Sequence, residues 1–244
     1  MFKYVSICLV IIFSILNAQN SDSLIDKAME LFDTRHLNAE NLTESRDILQ
    51  GVVESEPDNL RANYELSRVY YKLGDGVETK DEKLEMYNKG KEYGKKAKKI
   101  DDNSVSAHFW YVVNVGRIGQ TKGVLNSLFL VPEIKDEVNK ILKIDPEHTG
   151  ALDVKAMLYY ELPGLLGGNV NKTIELLSKA IEIDSNYSLL YVDMASSYIK
   201  KKDYENARWF LNKVSEIENP TYEADLILND KPEALELLEE IKGK

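Results

Sequence analysis

Histidine and cysteine, the side chains most often used for metal binding and acid–base catalysis, are few in this chain. The three histidines, His36, His108 and His148, lie far apart, and none belongs to a His-x-x-x-His or His-Glu pair of the kind that binds zinc. The only cysteine, Cys8, lies in an N-terminal apolar run, and no Gly-x-Ser-x-Gly motif is present to position a nucleophilic serine. We therefore expect neither an enzyme nor a bound metal or cofactor.

Carboxylates are abundant, but their spacing predicts no acid–base or calcium site. The chain has 41 Asp and Glu against 31 Lys and Arg, so close pairs such as Asp101-Asp102 arise by chance. The acidic stretch 75–82 lacks the ligand spacing of an EF-hand loop and is predicted to be a solvated linker. The formal net charge of −10 argues against binding to nucleic acid or to an anionic membrane surface.

One helical segment carries polar and aromatic side chains suited to binding a ligand. His108, Tyr111 and Arg117 are expected to lie roughly on one side of it, with Asn114 between the last two. If this helix lines a concave surface, Arg117 can pair with a carboxylate of the ligand and the aromatic rings can supply contact area. The other interpretation is that Trp110 and Tyr111 fill the seam between helices and that Arg117 is a surface charge.

The elements that must position these residues are marked by five stretches, each with a helical apolar pattern and a closing acidic residue beside a turn former. The acidic residues are Glu56, Asp101, Asp145, Asp184 and Glu218, at intervals of 45, 44, 39 and 34 positions. The last interval is the length of a tetratricopeptide repeat, a pair of antiparallel helices. We predict an all-α, tetratricopeptide-like right-handed helical solenoid of about five helix hairpins, with enlarged third and fourth units.

Residues 19–244 are predicted to form a single helical-repeat domain. Gly90, Gly94 and Ala97 share one face of the second unit, so close approach of helices is expected there. Thr43 is predicted to be the N-cap of a helix. The predicted units are residues 22–57, 60–102, 105–146, 149–185 and 188–220, followed by a C-terminal capping helix at 231–243.

The surplus residues of the third and fourth units form two unusual apolar segments. The first, 124–132, ends at Pro132, where a break or kink in the helix is expected. The second, 162–168, contains three glycines, but no Gly-Lys-Ser/Thr sequence follows them, so a P-loop is excluded. The enlarged third unit either packs against the neighbouring unit or forms an apolar groove or an oligomer interface. The candidate binding residues of the two segments are Phe129, Pro163, Gly164 and Leu165.

The first 18 residues have the layout of a secretory signal peptide. A short positive start at Lys3 precedes an apolar run from Val5 to Leu16, and Ala18 offers a small residue at a cleavage point. A permanent membrane anchor is the alternative, but a run of about a dozen residues is shorter than the ~20 that a spanning helix needs. No cysteine follows the cleavage point, so a lipid anchor is not expected. We predict an exported, periplasmic protein that is soluble rather than lipid-anchored.

Two segments resemble a known family. They are Ser106–Lys135, SAHFWYVVNVGRIGQTKGVLNSLFLVPEIK, and Glu161–Asp184, ELPGLLGGNVNKTIELLSKAIEID. Both are similar to the T-component family of tripartite ATP-independent periplasmic (TRAP) transporters, and the likeness extends from Thr43 to Pro220. The resemblance implies a helical periplasmic protein that associates with the transporter's ligand-binding protein. It also implies trimers with an apolar cavity for a hydrophobic small molecule, but no catalytic motif.

Two functional hypotheses follow from the sequence and the resemblance. The first is an exported helical-repeat binding protein, a transport accessory that binds a periplasmic solute-binding protein, a hydrophobic small ligand, or both. The alternative is a general interaction scaffold of the cell envelope that binds peptides on its concave face. Both hypotheses involve a protein partner and no nucleic acid.

Overall fold

The computed structural model describes residues 20–123 and 127–244, and within these ranges the chain is helical with no β-strand. The predicted signal peptide therefore lies outside the described residues, as do positions 124–126 of the first apolar segment. Residues 20–33 form helix α1. The following helices are α2 (Asn41–Ser55), α3 (Leu60–Asp75), α4 (Lys80–Ile100), α5 (Val105–Lys122), α6 (Val131–Ile144), α7 (Thr149–Glu161), α8 (Val170–Ile183), α9 (Ser188–Lys200), α10 (Tyr204–Glu216) and α11 (Lys231–Glu240).

Successive helices pack as hairpins that stack on one another. Helices α3 and α4, α7 and α8, and α9 and α10 form close pairs, while α3 also contacts α5, and α7 contacts both α5 and α9. The first helices of neighbouring hairpins therefore lie side by side, as the predicted helical solenoid requires. The buried core runs along the stack as a chain of clusters rather than as one central core.

Capping side chains fix where several helices begin. Thr79 and Glu82 form a capping box at the start of α4, and the Asn59 side chain accepts from the Ala62 N–H at the start of α3. The prediction that Thr43 caps α2 is wrong, because α2 begins two residues earlier, at Asn41, with no side-chain cap. A turn at residues 37–40 leads directly into α2, so the helix begins before Thr43, the residue that the sequence predicted as its N-cap.

The small residues of α4 allow two helices to approach closely, as predicted. A Cβ atom on Gly94 would lie 2.8 Å from the Cα of Tyr111, and one on Gly90 would lie 2.2 Å from Asn114 Oδ1. Gly90, Gly94 and Ala97 are all buried. The contact of α4 with α5 thus depends on the absence of side-chain volume at these positions.

Pro132 lies where the connection between α5 and α6 ends and α6 begins. Helix α5 stops at Lys122, and α6 starts at Val131 with Pro132 in its first turn, where a missing N–H costs nothing. The predicted break at Pro132 is therefore confirmed, with proline beginning a helix. The rest of α6 buries Ile134, Val138 and Ile141 against its neighbours.

The C-terminal segment reaches back to the start of the stack. After α10, one helical turn (Glu223–Asp225) continues through a π-helical segment (Leu226–Asp230) into α11. The Asp225 carboxylate lies 2.5 Å from Arg35 Nη2, a contact between residues 190 positions apart. Helix α11 covers the end of the stack, where Ala234 and Ile241 join the core of α9 and α10.

Candidate protein-binding groove

A groove of about 1350 Å³ runs along the first helices of four successive hairpins. Its lining comes from α3, α5, α7 and α9, and the segment 222–233 contributes to the same surface. The side chains that line it recur on each helix at offsets of 3, 4 and 7, as one face of a helix requires. On α3 these side chains are Arg68, Tyr71, Lys72 and Asp75.

Aromatic rings line much of the groove. The Trp110 ring lies 6.1 Å from Tyr71 and 4.8 Å from Phe109, centroid to centroid. On the C-terminal side, Tyr187 and Tyr222 meet edge to face at 5.1 Å. Apart from Tyr71, which is buried, these rings are partly exposed. Such rings offer large contact area at low conformational cost, which suits them to binding a partner.

The α3–α5 side of the groove carries cations that are already paired. Arg117 donates from Nη2 to the Tyr71 hydroxyl at 3.1 Å, and its Nε lies 3.5 Å from Asp75 Oδ1. Lys72 Nζ lies 2.6 Å from Asp225 Oδ1 and 3.8 Å from Asp75 Oδ2. The groove is open above Arg117, whose side chain keeps 39% of its surface exposed.

Asp225 joins two of the cations. Burial alone would raise the pKa of Asp225, but Lys72 and Arg35 outweigh burial and hold it below its ordinary value. The Arg35 side chain is only 5% exposed and the Lys72 side chain 11% exposed. This carboxylate therefore compensates two desolvated positive charges at once.

The α7–α9 side carries carboxyl groups instead. The carboxyl groups of Asp153 on α7 and Asp193 on α9 lie close enough to interact, and burial followed by this interaction raises the pKa of Asp193. Burial also raises the pKa of Asp153, which is 8% exposed. Within the described residues no group donates a hydrogen bond to Asp153 Oδ1.

Two further carboxyl groups extend this side. Asp230 is 3% exposed and accepts a hydrogen bond from the Ser188 hydroxyl. Burial raises the pKa of Asp230 to about 6. Burial likewise raises the pKa of Glu233, on α11, although Arg117 opposes that shift.

Of the residues predicted on α5, the structure places Arg117 in the groove and the other three in the core. His108 is 1% exposed, with Nε2 2.9 Å from the Asp102 carbonyl and Nδ1 in contact with Glu137. Tyr111 donates to Glu133 of α6. Asn114 is fully buried and donates to the Ser67 carbonyl at 3.0 Å.

The expectation that His108, Tyr111 and Arg117 share one side of the helix does not hold. His108 and Arg117 are nine residues apart, which is about two and a half turns, so they point to opposite sides. His108 and Tyr111 face α6, whereas Arg117 faces α3 across the groove. The structure thus gives Tyr111 the seam position that the sequence left open, and it places Trp110 in the groove lining.

The candidate residues of the two apolar segments lie outside the groove lining. Leu128 and Leu162 line the groove, but the neighbouring Phe129 is 86% exposed and Leu165 is fully exposed. Pro163 and Gly164 start a 3₁₀ turn that presents Leu165 to solvent. That turn is closed by hydrogen bonds from Leu166 N–H and Gly168 N–H to the Pro163 carbonyl. A binding role for these residues stays a prediction.

Sequence reasoning missed most of the groove residues. Arg68, Lys72, Asp153 and Asp193 were not recognised, because each looks like an ordinary surface charge in isolation. The signal that identifies them is their common register: they lie on the groove-facing stripe of the first helix of each hairpin. In a stack of hairpins these stripes adjoin, so they form one surface.

The groove lining offers aromatic rings and charged groups. No cluster of three or more potential metal ligands occurs in the described part of the chain. Helices with the length and apolarity to cross a bilayer are likewise absent from residues 20–123 and 127–244. The groove combines aromatic contact area with cations on one side and carboxyl groups on the other.

Comparison with known proteins matches this chain to one family and one fold. The family model described as regulator of microtubule dynamics protein 1-3 matches residues 24–165. Regulator of microtubule dynamics protein 1 of Bos taurus is 22% identical over 182 residues, which cover 68% of this chain and 56% of the relative. Regulator of microtubule dynamics protein 2 of Bos taurus is 24% identical over 212 residues, which cover 79% and 50%. The chain thus spans about half the length of these relatives.

Solved structures with similar folds are tetratricopeptide-like. A thermophilic tetratricopeptide-repeat protein of Thermus thermophilus superposes with a TM-score of 0.67 at 13% identity, covering 88% of this chain and 99% of that protein. The pilF protein of Pseudomonas aeruginosa superposes with a TM-score of 0.53 at 15% identity, covering 92% and 95%. At these identities the likeness establishes the fold alone, and it confirms the predicted helical solenoid.

Proposed function

The chain belongs to the regulator of microtubule dynamics protein 1-3 family, and we propose that it is a protein-binding module whose groove holds a segment of a partner protein. The observation that carries this proposal is the groove itself: a continuous surface over four hairpins, with aromatic rings beside charged groups. A peptide segment laid along it would bury its side chains against Trp110 and Tyr71. Its backbone and charged groups would meet polar partners on both sides.

A selection of random short peptides displayed on phage, panned on the purified protein, tests the proposal directly. The chain offers a matched pair of variants, because Trp110 lines the groove and Trp209 lies on α10 outside it, with 53% of its surface exposed. Selected peptides should lose at least about tenfold in affinity with Trp110→Ala, as for an aromatic anchor, and bind Trp209→Ala unchanged. Met157→Arg, which places a long cation in the groove, should block the same peptides.

Circular dichroism and thermal unfolding of each variant distinguish a lost site from a lost fold. If no peptide is selected, or if both tryptophan variants bind equally well, the groove is not the binding surface and the proposal is overturned. Loss of binding with Met157→Arg in a folded protein supports the proposal even if Trp110→Ala proves unstable.

A second candidate is direct action on microtubules, which the family and the names of the two Bos taurus relatives favour. The chain corresponds to about half of each relative, so this activity is a proposal for the shared part. Co-sedimentation with stabilised microtubules measures it. Protein that stays in the supernatant at all microtubule concentrations would rule out direct binding by this chain.

The resemblance to the TRAP T-component family supplies a narrower version of the first proposal. In that version the protein is exported to the periplasm. It binds a solute-binding protein, a hydrophobic small molecule, or both. Native mass spectrometry of the protein measures its oligomeric state, including the trimer that the resemblance implies, and any co-purified small molecule. An affinity capture from periplasmic extract that recovers no solute-binding protein would count against this version.

A further inference from the structure

The carboxyl groups of Asp153 and Asp193 meet where helices α7 and α9 adjoin, and both residues line the groove. Asp153 is buried, with 8% of its surface exposed, whereas Asp193 is partly exposed. Glu233 lines the same part of the groove from α11. Two helices therefore bring a pair of carboxyl groups together, and a third places Glu233 within electrostatic range of Asp193.

No group in the described residues completes the hydrogen bonding of this pair. Asp153 Oδ1 is inaccessible to solvent and receives no hydrogen bond from any described N–H or O–H group. A cation that influences the pKa values of both carboxyl groups is Arg117. Its guanidinium, however, is directed to the Tyr71 hydroxyl, to Gln120 and to Asp75.

A buried carboxylate without a partner is costly, so its charge must be compensated. Two adjacent carboxyl groups have two ways to satisfy this requirement: they share a proton, or they receive a cation from outside the chain. In the absence of a ligand, the two carboxyl groups can share a proton. An ammonium or guanidinium group that entered the groove would displace the proton and donate hydrogen bonds to both carboxylates.

We propose that the Asp153–Asp193 pair is the receptor for one cationic side chain, lysine or arginine, of the segment that binds in the groove. This inference rests on the proposed protein-binding function and adds the chemistry of the residue that is recognised. The groove then selects by charge as well as by aromatic contact: the α3–α5 side has its cations paired, and the α7–α9 side takes a cation from the ligand. Glu233 and the partly exposed Asp193 lie on the entry side, where the incoming group arrives from solvent.

The peptides selected on the protein provide the test. We expect groove-dependent peptides to share a lysine or arginine at one position. Replacing that residue by norleucine should lower affinity at least about tenfold, and the double variant Asp153→Asn/Asp193→Asn should lower it to the same extent. The norleucine peptide should bind the double variant no more weakly than either change alone predicts, since both changes remove the same interaction.

Glu175→Gln is the matched control, because Glu175 is an exposed carboxylate on the neighbouring helix α8 and lies outside the groove lining. It removes one negative charge and should leave affinity for the lysine peptide unchanged at moderate salt. Calorimetry in buffers of different ionisation enthalpy gives a second readout: near pH 6, binding of the lysine peptide should release up to about one proton, and binding of the norleucine peptide should release none.

The outcomes separate this inference from the function on which it rests. The cation receptor is overturned if the groove-dependent peptides share no basic residue. It is also overturned if the affinity losses from the norleucine peptide and the double variant add. Either result leaves the protein-binding function standing. The absence of any groove-dependent peptide overturns both. Spermidine serves as the probe for a free amine: if it binds at the pair while the selected peptides lack a basic residue, the receptor is for a free amine and the assignment to a partner side chain is wrong.

Discussion

The α3–α5 side of the groove contains cations that are paired within the chain, and the α7–α9 side contains carboxyl groups whose pKa values burial raises. On the first side, Lys72 and Arg35 share the carboxylate of Asp225, and Arg117 pairs with Asp75 and Tyr71. Every one of these charges has a partner in the chain. On the second side, Asp153 Oδ1 has no donor, and the pKa values of Asp153 and Asp193 are raised by burial.

This difference separates structural charges from charges available for binding. A buried ion pair that is complete inside the chain fixes geometry, since removing either member leaves a costly unpaired charge. A buried carboxyl that lacks a partner reduces stability at neutral pH and is retained only if something else uses it. The first side should therefore respond to mutation by unfolding, and the second side should respond by becoming more stable.

The largest expected effect is on the first side, at Asp225. Asp225→Ala removes the carboxylate that lies 2.5 Å from Arg35 and 2.6 Å from Lys72. It leaves the desolvated Arg35 without a carboxylate and Lys72 with only the more distant Asp75, at 3.8 Å. We expect the free energy of unfolding to fall by about 3–5 kcal/mol. Urea denaturation followed by circular dichroism measures the change.

Asp47→Ala is the control for this substitution. Asp47 also pairs with an arginine, Arg46, at 2.6 Å, but its side chain is 58% exposed. An exposed pair of this kind contributes about 0–1 kcal/mol. If Asp225→Ala and Asp47→Ala had equal effects, the buried network would not hold the C-terminal segment to the first hairpins.

The sequence was sufficient to predict the fold because its determinants are local. Apolar positions at helical spacing, acidic turn marks and small residues such as Gly94 act on neighbouring turns and neighbouring helices. The position of Pro132 was also predictable, since proline restricts the chain wherever it occurs. The misplaced start of α2 shows the limit of cap patterns: Thr43 has a suitable side chain but lies inside the helix.

The site was less predictable because both faces of α5 carry suitable side chains. His108, Tyr111 and Asn114 face the core, and Trp110 and Arg117 face the groove, yet all five are polar or aromatic. Residue types alone cannot show which of these side chains face the core and which face the groove. The two and a half helical turns between positions 108 and 117 could have shown that these two residues face opposite sides.

Long-range pairing was outside the reach of any sequence pattern. Arg35 and Asp225 are separated by 190 positions, and their contact depends on how the whole stack curves before the C-terminal segment returns. Asp153 and Asp193 meet only because corresponding turns of two first helices lie side by side. Each looks like a surface residue when its own helix is considered alone.

The second prediction concerns Asp153 and has the opposite sign. Asp153→Asn removes a buried carboxyl that is charged in the unfolded chain at neutral pH but resists charging in the fold. We expect the free energy of unfolding at pH 7 to increase by up to about 3 kcal/mol, since burial raises the pKa of Asp153 from 3.8 to about 6 and each pKa unit corresponds to about 1.4 kcal/mol. Thermal unfolding at pH 7 measures it, with Glu161→Gln as the exposed control on the same helix.

A decrease in stability with Asp153→Asn would show that the carboxylate has a compensating partner in the free protein. The distinction between the two sides of the groove would then be lost. An increase in stability together with weaker peptide binding would instead give the pattern expected of a residue kept for function at the expense of stability.

The smallest effect is expected at Asp230, which lies beside the same groove but has one hydrogen-bond partner. The Ser188 hydroxyl donates to its carboxylate, and burial raises the pKa of Asp230 to about 6 from an ordinary value of 3.8. The folded protein therefore binds a proton more tightly than the unfolded chain, and the ionised form reduces stability at higher pH. Asp230→Asn should stabilise the protein by about 1 kcal/mol at pH 7–8, less than Asp153→Asn because the variant weakens the bond to Ser188.

The pH profile tests the cause of this effect. The advantage of Asp230→Asn should be complete above pH about 7, shrink as pH falls through 6, and vanish below the ordinary pKa of 3.8, where Asp230 is protonated in both states. Urea unfolding of the wild type and the variant across this range measures it. A difference that does not change with pH would mean that the substitution acts through packing, and that the Ser188 hydroxyl already compensates the charge of Asp230. Asp230 would then no longer count among the uncompensated carboxyl groups on this side of the groove, whereas the Asp153–Asp193 pair would.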